Sequence, residues 1–131
     1  MTDAEFLRAF DAGALPAQEL GHRGHLRLAY ILITRHGRRR GEHEVARRLR
    51  HVAEAHGTPE RYHHTLTAFW ARLLAHVVAR RPAAGDFADF LGGTGWLLDP
   101  RLPERHYSRD RLRGDPARKG WVPPDLIPMP A

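Results

Sequence analysis

Between Gly21 and Gly37 the chain reads His-Arg-Gly-His-Leu-Arg-Leu-Ala-Tyr-Ile-Leu-Ile-Thr-Arg-His, and from Leu26 onward this stretch is apolar around most of a helical circumference. A helix with so little polar face to turn toward water has to be enclosed by other elements, so the segment belongs at the centre of a bundle. At about 100° per residue, His22, His25, Leu26, Ala29, Leu32, Ile33 and His36 share one face, and Arg23, Arg27, Ile31 and Thr34 lie to the side or behind. A single histidine on an apolar face is usually a core residue with one ring nitrogen satisfied. Two of them at i and i+3 are different, because their imidazoles can address one common point.

The flanking segments supply the enclosure. Thr2-x-x-Glu5 is a capping box that opens a first helix with Phe6, Leu7 and Phe10 inward; it stops near Gly13, and Leu15-Pro16 turns the chain. Residues 42–56 read as a third helix with a thin stripe of Val45, Leu49, Val52 and Ala53 and with Gly57 as its stop, which leaves Arg38-Arg39-Arg40 in the preceding loop. Thr58-Pro59-Glu60 is a start signal for a fourth helix running to about Arg80, ended by Pro82 and burying Tyr62, Leu66, Phe69, Trp70, Leu73 and Val77. His63 falls about 60° from the centre of that buried face, and His64 about 160° away. Residues 86–91 make a short capped helix before Gly92-Gly93.

From Trp96 onward closely spaced prolines forbid long helices, yet Trp96, Leu97, Leu98, Tyr107, Trp121, Leu126 and Ile127 are too apolar for a disordered tail. The pattern predicts an all-α fold, a single domain over residues 1–131. Residues 1–95 form a bundle of four main helices with short extra turns. Residues 96–131 form an irregular, proline-rich segment that wraps the bundle, with one turn capped at Ser108 and another at Asp115-Pro116. This wrap, burying Trp121 and Leu126, is expected either to cover the histidine end as a lid or to pack elsewhere and only stabilise the fold.

The absence of cysteine excludes disulfide frameworks, thiolate metal sites and cysteine nucleophiles. No apolar run approaches the roughly 18 residues of a membrane span, and the expected setting is cytoplasmic. A net charge of +6 would ordinarily suggest nucleic acid as a partner. Here that partner is disfavoured: Lys119 is the sole lysine, asparagine is missing, and acidic residues are interspersed, a bias that GC-rich coding produces by itself.

Several stretches together resemble a pattern carried by small bacterial all-helical proteins: Thr-His-x-x-His-Leu-Arg-x-Ala, Tyr-His-x-Thr-Leu-Thr-x-x-Trp, aromatic-Tyr-Ser and Trp-x-x-Pro-Asp-Leu. In this chain they correspond to His22 to Ala29, Tyr62 to Trp70, His106-Tyr107-Ser108 and Trp121 to Leu126. The chain departs at Gly21, where the pattern has a capping threonine, and at His106, where it has an aromatic residue. The resemblance implies a shared architecture over nearly the whole chain and says nothing about a reaction.

The chemistry is expected where His22, His25 and His63 meet. If the second and fourth helices run parallel, these three imidazoles gather at one end of the bundle and match a divalent-metal centre with an open position, zinc or iron(II), with copper as a further option. Glu19 is the nearest carboxylate, as a ligand or as the partner that fixes an imidazole tautomer, or simply as a solvated residue near a helix start. The metal-free alternative uses the same histidines as acid and base in an isomerase, cyclase or dehydratase. Arg27, Tyr62, Tyr107, Arg109 and Asp125 then orient a small, anionic substrate. A third option, of another class, is a basic helical module that binds nucleic acid or protein through Arg38 to Arg40.

Overall fold

The computed structural model of the chain describes residues 1–81 and 85–130. It is all-helical, with no strand among the described residues. The main helices are α1 (Asp3–Asp11), α2 (His22–His36), α3 (Arg38–Ala55) and α4 (His64–Arg80), followed by the short α5 (Phe87–Gly92), α6 (Arg109–Arg113) and α7 (Asp115–Lys119). Single 3-10 turns at Ala17–Leu20, Pro59–Arg61, Gly95–Leu98 and Leu102–Arg105 link them. No described helix is long and apolar enough to cross a membrane.

Helix α2 is central, as its composition requires. Every residue from Leu28 to Ile33 is buried, and the helix packs against α1, α3, α4 and α5. Each large aliphatic side chain so buried contributes about 1.5–3 kcal/mol. The core that surrounds it also takes in Phe6, Phe69, Phe87 and Phe90, and reaches Leu97 and Tyr107 of the C-terminal segment.

The starts of α1 and α5 follow local chemistry. Thr2 and Glu5 form the expected reciprocal cap, and Asp86 with Asp89 forms a second one at α5. Asp3 then ties three elements together, because it accepts from the Arg27 guanidinium at 3.0 Å and from the Phe87 N–H at 2.9 Å.

Two helix starts differ from the sequence expectation. Helix α3 begins at Arg38 rather than at residue 42, because Gly37, at φ +84°, reverses the chain in a single residue and the Gly41 N–H already bonds the Gly37 carbonyl. The arginine run is therefore the first turn of α3 and not a loop. Helix α4 begins at His64 rather than at Pro59, because Thr58-Pro59 opens only one 3-10 turn before Tyr62 and His63 become extended. The expected stop at Pro82 lies outside the described residues.

The C-terminal segment does wrap the bundle, held by α4. Buried Thr65 donates its hydroxyl to the Gly120 carbonyl at 2.7 Å and accepts from the Val122 N–H at 3.2 Å. Tyr107 donates to the Val122 carbonyl at 2.7 Å, and Asp125 accepts from the Ser108 N–H at 2.8 Å. Trp121 is half-buried beneath Arg72. Leu126 is not buried: it is 56 % exposed, because its backbone N–H is turned inward to the His106 carbonyl.

Two glycines set the helix spacing. A Cβ on Gly24 would stand 1.8 Å from the Glu19 carbonyl oxygen, and one on Gly41 would stand 2.7 Å from the Ile33 Cα. Alanine raises helix propensity by about 1 kcal/mol over glycine, but these neighbours are backbone and cannot rotate away. Gly24→Ala and Gly41→Ala should each lower unfolding free energy by about 1–3 kcal/mol in urea titrations. Gly92→Ala, with nothing in its way, should be neutral or slightly stabilising.

Candidate functional site

Helices α2 and α4 begin at the same end of the bundle, and α3 ends there. Between them lies an open cavity of about 420 Å³. Its walls are apolar where α3 faces α2 and α4, with Leu26, Ala29, Val45, Leu49, Val52 and Ala71 among them. Toward the helix ends the lining becomes polar, and His22, His25, His63 and Tyr62 stand there together. The volume falls in the range of small-molecule sites, as does the mixture of an apolar body with a few polar groups.

The three imidazoles differ in what already occupies them. His63 is the residue that caps α4. Its Nδ1 accepts from the Leu66 N–H at 3.1 Å, and its Nε2–H donates to the Leu112 carbonyl at 2.7 Å. Both nitrogens are thus committed, and the ring is neutral. His22 packs against Trp70, ring centroids 4.4 Å apart, and donates from Nε2 to the Leu97 carbonyl at 2.9 Å. That bond leaves the Nδ1 lone pair of His22 to accept.

His25 makes no hydrogen bond to any other described residue. It is an exposed residue of the cavity wall, with protein packed around part of its ring. This partial burial, with a smaller contribution from His22, holds its pKa below the ordinary 6.5, so the free imidazole is the resting form at neutral pH.

The other sequence candidates lie elsewhere. Glu19 is half-buried in the turn before α2 and is not among the cavity residues. Arg27 is bound to Asp3 and to the Met1 carbonyl and lies over the Phe6 ring. Tyr107 is buried against Phe69 and Trp121, and burial pushes its pKa up to about 12, so it is a protonated anchor for the wrap. Arg109 is exposed, 3.9 Å from Glu104. Asp125 is held below the usual carboxylate range by its hydrogen bonds from Ser108.

Tyr62 lines the cavity but donates its hydroxyl to His64 Nδ1 at 2.8 Å. His64 itself does not line the cavity. No residue of the C-terminal segment lines it either, so the wrap lies behind the histidine wall and does not close over the mouth as a lid. Among the described residues, no group of three His, Asp or Glu side chains is disposed to hold a metal ion. At His63, moreover, both ring nitrogens are already engaged.

Sequence reasoning missed His56, Thr58, Arg61 and Thr67, all of which line the cavity. The signal for His56 was topological, since an α3 that runs antiparallel to α2 must end beside the start of α2. No protein-family model, curated protein or solved structure matches the chain.

The two hydrogen bonds of His63 are structural, and the bare ring of His25 is not. His63→Ala should cost about 1–3 kcal/mol of stability, from the lost cap and the orphaned carbonyl. His25→Ala should cost less than about 1 kcal/mol at pH 7. Chemical denaturation of the two variants against the parent checks the ranking.

Proposed function

We propose that this protein is a small-molecule enzyme whose cavity holds a mainly apolar compound and whose His25 exchanges a proton with it. The observation that carries this reading is the His25 ring: it lines the polar, solvent-reached end of a cavity whose body is apolar, its pKa is held down by its surroundings, and it makes no hydrogen bond to another described residue. A neutral imidazole, its pKa held below the ordinary 6.5, is in the form that accepts a proton at pH 7, as a general base does in isomerases, cyclases and dehydratases. His22 supplies a second acceptor beside it, with its tautomer set by the Leu97 carbonyl. Arg61 and Thr67 at the same end supply donors for a polar substituent, whereas the aliphatic walls receive the carbon skeleton.

A divalent metal at this end is a second reading, favoured by one observation. His22 donates from Nε2 to a backbone carbonyl, the outer partner that metal-bound imidazoles usually have, and His25 stands one turn away with an unoccupied ring. In that reading substrate or water supplies the remaining ligands, and His63 stays a cap.

Binding of phenol and of indole, followed by the ring proton signals of His22, His25 and Trp70, tests both readings. Either probe should shift all three sets of signals, and His25→Leu should weaken phenol by at least about fivefold through the lost hydrogen bond while leaving toluene unaffected. Unshifted His25 signals at saturation would refute the proton-exchange reading. Zinc that sharpens or shifts His22 and His25 at stoichiometric amounts, and not in the His25→Leu variant, would favour the metal.

The pH dependence follows from the direction of the shift. Folded His25 resists protonation more than the unfolded chain does, so stability declines as pH falls from 6.5 through the lowered folded pKa, and is level below it. His64, also held down by burial and by Arg50, adds to the same slope. His25→Gln should flatten part of this acid loss, and the residual slope should vanish when His64→Gln is added. Proton-transfer activity should be level near pH 7 and fall in that same acidic window.

A further inference from the structure

A second cavity, of about 340 Å³, lies toward the opposite end of the bundle and shares no lining residue with the first. It is walled by Arg38 from the start of α3, by Arg72, His76 and Arg80 from α4, and by Trp121 and Met129 from the wrap. Among the described residues no carboxylate lines it. The three guanidinium groups are not equivalent. Arg72 is matched, because it donates to both oxygens of Glu42, at 2.8 and 3.3 Å, while lying 3.8 Å over the Trp121 ring. Arg38 and Arg80 have no ion-pair partner among the described residues.

Arg80 is exposed and folds back along its own helix, with Nη1 on the His76 Nδ1 and carbonyl oxygen. Arg38 sits in a first turn that contains no acidic residue and has no side-chain cap. Positive side-chain charge is therefore concentrated on one apolar-floored recess, where the start of α3 favours an anion and the end of α4, which opposes one, is offset by Arg80.

We propose that this second cavity binds a small organic phosphate. Two uncompensated guanidinium groups call for a dianion, which a phosphate monoester provides and a monocarboxylate does not. Arginine forks fit its oxygens in pairs. Trp121, Met129 and the alanines of α4 form the wall against which the ester's carbon portion rests. The site is independent of the proposed histidine chemistry, and occupation of one cavity can be read without the other.

Phenyl phosphate, inorganic phosphate and benzoate, titrated into the full chain at physiological salt, provide the test, with the Trp121 indole signal and calorimetry as readouts. Phenyl phosphate should shift Trp121 and bind at least about tenfold more tightly than benzoate, and Arg38→Gln with Arg80→Gln should weaken it by at least about tenfold. His25→Leu, in the other cavity, should leave this affinity unchanged. Equal binding of benzoate and phenyl phosphate would overturn the proposal, as would an unaltered affinity in the double variant. An unrelated single-stranded oligonucleotide that binds more tightly than phenyl phosphate, and loses as much affinity on Arg39→Gln and Arg40→Gln as on Arg38→Gln with Arg80→Gln, would overturn it as well, by making the region a diffuse polyanion surface.

Discussion

Burial of α2 on all sides is the constraint from which the rest of the architecture follows. With Leu28 through Ile33 all withdrawn from water, the helix needs neighbours around its whole circumference, and the chain has only a few long helices to provide them. The solution is close approach where the sequence allows it. Gly37 reverses the chain in one residue, and Gly41 lets the start of α3 lie directly against Ile33. At the other end of α2 the apolar run gives way to His22 and His25, and the alanines at 29, 53 and 71 are too small to fill the space between the helices. The cavity is a consequence of that change in side-chain size and polarity along one helix.

Much of this could be read from the sequence because it depends on local pattern. The caps at Thr2 and Asp86, the stop at Gly37 and the gathering of His22, His25 and His63 at one end all follow from periodicity and capping chemistry. The misreadings share a cause. Thr58-Pro59 has every mark of a helix start, but tertiary packing draws Tyr62 and His63 into extended backbone, so His63 becomes a cap and its wheel position has no meaning. Arg27 and Tyr107 are the same kind of case: each carries a functional group whose partner, Asp3 or the Val122 carbonyl, is remote in sequence. Which of two chemically identical histidines is saturated is decided by backbone carbonyls at Leu97 and Leu112, and no local pattern announces those.

The polar residues around the C-terminal segment divide by task. Thr65 holds the wrap against α4, and Tyr107, Ser108 and Asp125 tie the wrap to itself, through four hydrogen bonds to or from backbone groups. A buried threonine that both donates and accepts is costly to replace, since apolar substitution leaves a carbonyl and an N–H unpaired. The wrap in turn reaches the histidine wall from behind, where its carbonyls receive the Nε2–H of His22 and of His63. Its tightness therefore bears on the cavity without any of its side chains entering it.

The wrap also forms part of the second cavity through Trp121 and Met129, so one irregular segment touches both recesses of the bundle. The two differ in the currency of recognition. At the start of α2 the groups are imidazoles, neutral and directional, which suits proton exchange and hydrogen bonding to an uncharged or weakly acidic compound. Where the start of α3 meets the end of α4 they are guanidinium groups, permanently charged, which suits capture of an anion. A helix that presents histidines in its first turn and one that presents arginines there have the same dipole at that end. The side chains decide what each attracts: α2 leaves its first turn to groups that can lose their charge, and α3 doubles the positive potential that its backbone already carries.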